Sequence, residues 1–313
     1  MGGVSPAPAK GARRSWRGLF GARRGPRRAR PPELTAFVLA GGGTRGAVQV
    51  GMLTELVERG IRADLVFGAS VGAVNGAAYC ADPTREGMER LQHVWLNLRG
   101  DDVFPQGLVH GPWMFFQQRP SIHPNAGLRT VIEKEVLFDR IEDAVVPLEV
   151  VATSLRDGRE HWFKEGPVVD AILASAAIPG IFPPMAAGDD VLVDGGVVNN
   201  VPISRALAAG ATTIYVLLCE PTHYHPDISK RPLEAVLTAF FVGIHSRFVR
   251  EVGQLPPDVR VIVFSGEYRA ASDYRDFGSV AEMMLAGRDE VTRVLSLADS
   301  DRHSGLVGWS DDD

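Results

Sequence analysis

The sequence predicts an α/β protein with a mostly parallel central sheet, and three observations point there. Short apolar runs alternate with longer segments of helical spacing across residues 33–298. The first two runs end in glycine-rich or Gly-x-Ser turns, as strand-to-helix junctions do. The composition, 45% hydrophobic and 23% charged over 313 residues, is that of a globular chain able to bury a core without staples.

Each element follows from the pattern. Residues 35–40 (TAFVLA) form a buried strand closed by three glycines. Residues 46–59 carry Val50, Leu53, Leu56 and Val57 at helical spacing and stop at Gly60. Residues 65–69 (LVFGA) are a second strand, and 71–80 a helix rich in small residues. Region 100–127 is the least regular and reads as an inserted cap or lid, in which Trp113, Met114, Phe115 and Phe116 suit either core or an interfacial lip. Strands at 148–152, 191–194, 213–218 and 259–264 then alternate with helices at 168–177, 203–209, 233–250 and 280–297. Segment 171–188 is uncharged but broken by Pro179, Pro183 and Pro184, so it reads as helix end and buried loop rather than a membrane span.

The net charge of −5 hides a split. Residues 1–30 hold nine basic residues (Lys10, Arg13, Arg14, Arg17, Arg23, Arg24, Arg27, Arg28, Arg30) and no acid, leaving −14 for the rest. Residues 1–32, rich in Gly, Pro and Ala, are expected to be a disordered basic arm able to touch an anionic membrane. Residues 299–313, ending in three aspartates, are expected to be a flexible acidic tail. Arg13-Arg14 is followed by no apolar run, which argues against a twin-arginine signal. With only Cys80 and Cys219, neither a disulfide framework nor a cysteine-rich zinc site can form. A cytoplasmic protein, peripheral at the membrane at most, is expected.

Three motifs carry chemistry. Gly41-Gly42-Gly43-Thr44-Arg45-Gly46 lies between the first strand and its helix. Glycines there let several backbone N–H groups converge on an anion, either a phosphate or an acyl-transfer oxyanion. The spacing also fits G-x-G-x-x-G and a non-catalytic nucleotide module. That reading wants an acid at the end of the second strand, but Asp64 precedes the strand. Gly68-Ala69-Ser70-Val71-Gly72 is G-x-S-x-G at a strand-to-helix turn, which suits an exposed nucleophile or a helix-capping serine. Asp194-Gly195-Gly196 ends an apolar strand and is either a turn or, at the C-terminal edge of a parallel sheet, part of a site.

A serine nucleophile needs a base. Asp starts as a poor one, at about 3.9 against about 6.5 for His, and burial would strengthen it. The alternative is a Ser-Asp-His order with His223 or His225, in a polar loop after strand 213–218. That His-x-His pair has no third metal ligand at a suitable spacing, so no metal is expected.

In this order, the three motifs resemble the patatin-like phospholipase family of serine lipid acyl hydrolases. Residues 174–184 (ASAAIPGIFPP) also look like family sequence, and the likeness covers about 34–220. The resemblance implies a three-layer α/β/α sandwich and a Ser-Asp dyad without histidine. It implies Ser70 as nucleophile and Asp194 as base. The elbow is then Gly68, Ala69, Val71 and Gly72. Gly41, Gly42, Gly43, Thr44, Arg45 and Gly46 form the oxyanion loop, and Gly195 and Gly196 complete the Asp motif. It implies a lipid acyl-ester substrate, no cofactor and no nucleic acid. Whether Arg45 touches substrate or braces the loop stays open.

Overall fold

Alternate residues of the first strand face two different cores. In β1 (Thr35–Leu39), Phe37 and Leu39 point into one apolar cluster while Ala36 and Val38 point into another, and all four are fully buried. A strand apolar on both faces sits between two helical layers. The computed structural model describes residues 33–105, 121–220, 232–266, 274–300 and 305–309, with Gly2 and Tyr268. The chain divides into Met1–Pro32 and Glu33–Asp313. The basic arm, the aromatic run at 113–116, His223 and His225, and most of the acidic tail lie outside the described residues.

From β1 the chain turns through Gly43–Gly46 into α1 (Ala47–Glu58), then β2 (Leu65–Ala69) and α2 (Val71–Ala81). Helices α3 (Arg85–Asn97), α4 (Gly100–Val103) and α5 (Ala126–Glu135) follow. Next come β3 (Leu148–Ser154), β4 (Glu160–Phe163), α6 (Val168–Ser175), β5 (Met185–Ala187), β6 (Asp190–Asp194), α7 (Gly196–Asn199) and α8 (Ile203–Ala208). The chain continues through β7 (Thr213–Leu217), α9 (Pro232–Val252), β8 (Arg260–Phe264), α10 (Val280–Ser300) and β9 (Leu306–Val307).

The sheet order is β5-β6-β3-β2-β1-β7-β8-β9, with β4 paired to β3. The run from β3 to β9 is parallel. One face carries α1, α2, α3 and α10 and the other α8 and α9, giving the expected three layers. Each fully buried Leu or Phe in these cores contributes about 1.5–3 kcal/mol.

One expectation needs correcting. The strand ending at Asp194 is not part of the parallel run, because β6 is antiparallel to β3, as are β4 and β5 to their partners. Short connections account for the two hairpins, while β6 runs against β3 through a pairing made across a long connection, Ala152 with Asp194 to Ser154 with Leu192. β3 and β4 are separated by 155–159, and β5 and β6 by 188–189, and links so short permit only antiparallel hairpins. Register nevertheless brings Asp194 to the same place. Ala69 pairs with Val151, and the next β3 residue, Ala152, pairs with Asp194. Ser70 and Asp194 thus flank β3 in the same row.

Candidate active site

The junction of β2 and α2 forces Ser70 into a conformation that side chains avoid. Its φ is 52° and ψ −124°, and it is the one non-glycine with positive φ among the described residues. Its neighbours explain how the turn is tolerated. A Cβ on Gly68 would lie 2.7 Å from the Ala73 Cα, and one on Gly72 would lie 2.2 Å from the Leu39 carbonyl oxygen. The turn holds because both positions lack side chains. Although Ser70 sits at the N-cap position of α2, its side chain makes no capping bond, so the capping role fails. Its backbone N–H donates to Ser175 Oγ at 2.9 Å.

Asp194, at the end of β6, is 2% exposed. Its Oδ1 accepts from the Gly196 N–H at 2.7 Å. Oδ2 is buried without a full hydrogen bond. Burial pushes the carboxyl up to about 7, against the pull of the Ser70 hydroxyl and the Gly196 amide. A carboxylate so placed is a far better base than one in water.

The glycine loop meets this pair because β1 and β2 are neighbours, with Leu39 in register with Gly68. A Cβ on Gly41 would stand 2.9 Å from Ser70 Cβ. The N–H groups of Gly42, Gly43 and Thr44 donate to no acceptor among the described residues. The Val71 N–H, first in α2, likewise has no acceptor among the described residues, and amides in that position can take an anion. Gly42 is pressed on Cys219, whose Cβ would lie 2.1 Å from an added Cβ.

Arg45 faces Glu220. Its guanidinium donates to Glu220 Oε1 at 3.1 Å and to the Gly42 carbonyl at 3.3 Å, with both side chains 12% exposed. The contacts are those of a brace on the loop. Beneath it, Asn75 Nδ2 donates to the Gly46 carbonyl and to Gln49, Trp95 Nε1 donates to Asn75 Oδ1, and Gln49 Nε2 donates to the carbonyls of Ala40 and Leu217. A buried polar network satisfied in this way fixes one geometry.

Two positioning residues escaped the motif reading. Asn200 donates from Nδ2 to the Gly41 carbonyl, and its own carbonyl accepts the Gly41 N–H, both at 3.2 Å, tying the glycine loop to the Asp motif. Ser175 takes the Ser70 amide on Oγ and the Gly195 amide on its carbonyl, joining elbow and Asp motif. Ser175 lies in the 174–184 stretch that resembles family sequence, but nothing in that stretch marks its hydrogen-bonding role. The Asn199-Asn200 pair just past the glycines was a visible but unread signal.

An apolar chamber opens beside Ser70, Gly43 and Thr44, walled by Val71, Val74, Trp95, Phe104, Phe182 and Phe277. Phe104 stacks on Phe182 at 5.3 Å. The nucleotide reading finds no support at Asp64. Its Oδ2 accepts the Thr35 N–H at 2.7 Å, at the sheet edge opposite the glycine loop. Among the described residues no histidine hydrogen-bonds to Ser70 or Asp194, no cluster of metal-ligating side chains occurs, and no helix is long and apolar enough to cross a membrane.

A strained serine at a strand-to-helix turn, a buried carboxylate in its row and a glycine loop thus meet at one edge of a mostly parallel α/β sheet. The chain belongs to the patatin-like phospholipase family, whose model matches residues 37–207. An uncharacterized NTE family protein of Mycobacterium bovis is 30% identical over 56% of this chain and 46% of its own length. Human patatin-like phospholipase domain-containing protein 6 is 28% identical over 58% of this chain and 13% of its own. The chain thus spans less than half the length of these relatives. The crystal structure of VipD from Legionella pneumophila superposes with a TM-score of 0.48 at 15% identity, over 86% of this chain and 67% of that one.

Proposed function

We propose that the protein is a lipid acyl hydrolase that cleaves carboxylic esters through an acyl-enzyme on Ser70, with Asp194 as general base. The observation that carries this reading is the buried, unsatisfied Asp194 oxygen in the same row as a strained serine at the mouth of an apolar chamber. Ser70 Oγ attacks the ester carbonyl carbon as its proton passes to Asp194 Oδ2. The carbonyl oxygen becomes an oxyanion and takes hydrogen bonds from the free amides of the glycine loop. Asp194 then returns the proton to the departing alkoxide, leaving the acyl group on Ser70. Water gives a proton to Asp194 and attacks the acyl carbon. Ser70 Oγ leaves, recovers that proton, and the fatty acid is released. The apolar chamber suits the acyl chain of a lipid ester.

Replacing His223 and His225 together by Ala is expected to leave kcat within a few-fold of wild type, because the buried Asp194 carboxylate is already a competent base. Steady-state hydrolysis of a chromogenic acyl ester measures it. A loss near 10⁴-fold with the fold retained would establish the Ser-Asp-His alternative.

Gly42→Ala is expected to lower kcat by about 10²- to 10³-fold, the usual loss of one oxyanion donor. The added methyl meets Cys219 and must push the loop away from Ser70. Adding Cys219→Gly, which removes the obstructing atoms, should recover much of the loss. Full activity in Gly42→Ala alone would exclude the loop from the oxyanion role.

A further inference from the structure

The carbonyl of Gly42 is held twice by Arg45. The Arg45 backbone N–H donates to it at 3.3 Å, closing the tight turn of Gly43–Gly46, and the side chain adds a second bond from Nε, also at 3.3 Å. The same guanidinium donates from Nη2 to Glu220 Oε1 at 3.1 Å. Glu220 lies just past β7, where the chain is anchored by other contacts. Cys219 packs against Gly42, its Sγ donates to the Ala40 carbonyl at 3.5 Å, and its own carbonyl accepts from the Tyr268 hydroxyl. Burial raises the Glu220 carboxyl, and the Arg45 charge beside it opposes the rise. The chemistry proposed above gives this carboxyl no part.

In a trans peptide the carbonyl oxygen and the following N–H point in opposite directions. Whatever fixes the Gly42 carbonyl therefore fixes the Gly43 N–H. Gly43 lines the chamber beside Ser70, while Arg45 and Glu220 do not. The carbonyl is thus drawn away from the chamber and the N–H is turned toward it. Packing does little to hold this peptide. It joins two glycines, Gly43 has a φ of 61°, and no atom lies within 4 Å of a Cβ added there. Glycine moves between backbone wells at low cost, so without the guanidinium the peptide can rotate and present its carbonyl where an oxyanion must sit. An oxygen there repels the developing charge instead of binding it. We propose that Glu220 is a positioning residue for ester hydrolysis: through Arg45 it holds the Gly42 carbonyl off the chamber and so keeps the Gly43 N–H aimed at the oxyanion. The inference rests on the proposed function, which makes that N–H an oxyanion donor.

Two readouts on the full chain test it. The first is kinetic. Glu220→Gln keeps the size and an acceptor oxygen but loses the charge. It is expected to lower kcat for a chromogenic long-chain ester about tenfold, with KM changed by less than about twofold. The loss falls short of the usual 10²- to 10³-fold for a whole donor because the Arg45 backbone bond to Gly42 remains. Inactivation by an alkyl fluorophosphonate, whose phosphoryl oxygen meets the same amides, should slow by the same factor. Arg45→Gln breaks the contact from the loop side and keeps the question open to test should the Glu220 variant not fold. The double variant should be no slower than Arg45→Gln alone, as residues acting through one another are not additive. A merely structural role would reduce the amount of active protein and leave kcat per fluorophosphonate-labelled Ser70 unchanged. The second readout is crystallographic. The Gly42–Gly43 peptide is expected in one orientation in wild type and in a second, rotated one in Glu220→Gln. Unchanged kcat per labelled site, additive losses in the double variant, or a peptide that keeps its orientation in both single variants would overturn the inference. Wild type without Ser70-dependent turnover would overturn the proposed function instead, and the direction of the peptide in the crystals would still decide whether Glu220 holds it.

Discussion

Ser70→Ala is expected to reduce kcat for a long-chain acyl ester by about 10⁴- to 10⁶-fold, the scale on which a lost nucleophile is felt. Labelling by an active-serine fluorophosphonate should vanish with it. The fold should not suffer. The Ser70 side chain makes no capping bond to α2, and its structural bond to Ser175 uses the backbone N–H, which alanine keeps. The strained φ of 52° is paid equally by Ser and Ala. Circular dichroism and the melting temperature should therefore match wild type while turnover is gone. Undiminished hydrolysis by purified Ser70→Ala would remove the acyl-enzyme, and with it the reading of the chamber as an acyl site.

Much of the fold was legible in the sequence because parallel strands buried on both faces are plain apolar runs. Residues 65–69 were read with the bounds of β2, and 35–40 within one residue of β1. What stayed hidden has weaker local signals. Every residue of β4 is only half-buried, and β5 and β9 are too short for periodicity to register. Helices α3 and α5 bury only a few residues each, Met88, Leu91 and Trp95 among them, so their patterns are mostly polar. The direction of β6 was hidden for another reason. Strand sense depends on connection length and pairing, which an apolar run does not encode.

The motifs of the candidate site are legible in the sequence, but their supports are not. The glycine loop, Ser70 and Asp194 are each marked by glycines whose missing side chains the packing requires, Gly41, Gly42 and Gly46, Gly68 and Gly72, and Gly195 and Gly196, while Gly43 is required by its φ of 61°. Ser175, Asn200 and Glu220 reach their partners Ser70, Gly41 and Arg45 across 105, 159 and 175 residues of sequence, and pairings at such separations are not encoded in any local pattern. Arg45, too, is held to Glu220 and the Gly42 carbonyl, contacts that its sequence position does not announce.

Asp194→Asn should separate stability from activity. In the fold the carboxyl titrates at about 7, raised by burial from an ordinary value of 3.8. A group whose folded pKa is raised holds its proton in the fold while the unfolded chain releases it. Its contribution to stability is present below about pH 4 and is lost as pH rises through about 7, at about 1.4 kcal/mol per unit, or about 4 kcal/mol in all. Above pH 7 the wild type carries a buried negative charge that only the Gly196 N–H satisfies fully. Asparagine keeps that bond through its oxygen and removes the charge. The melting temperature of Asp194→Asn is therefore expected to exceed that of wild type by several degrees at pH 8 and to converge with it near pH 4. The kinetics should run the other way. Wild-type kcat/KM should fall about tenfold per unit below pH 7 as the base is protonated. Asp194→Asn should lose about 10⁴-fold in kcat, the cost of removing the acid from a serine site. Calorimetry and pH-rate profiles on the two proteins measure both. A variant less stable than wild type at pH 8 would mean that the carboxylate is held by bonds that offset its burial. An unchanged acid limb in wild type, far below pH 7, would mean that the base lies elsewhere.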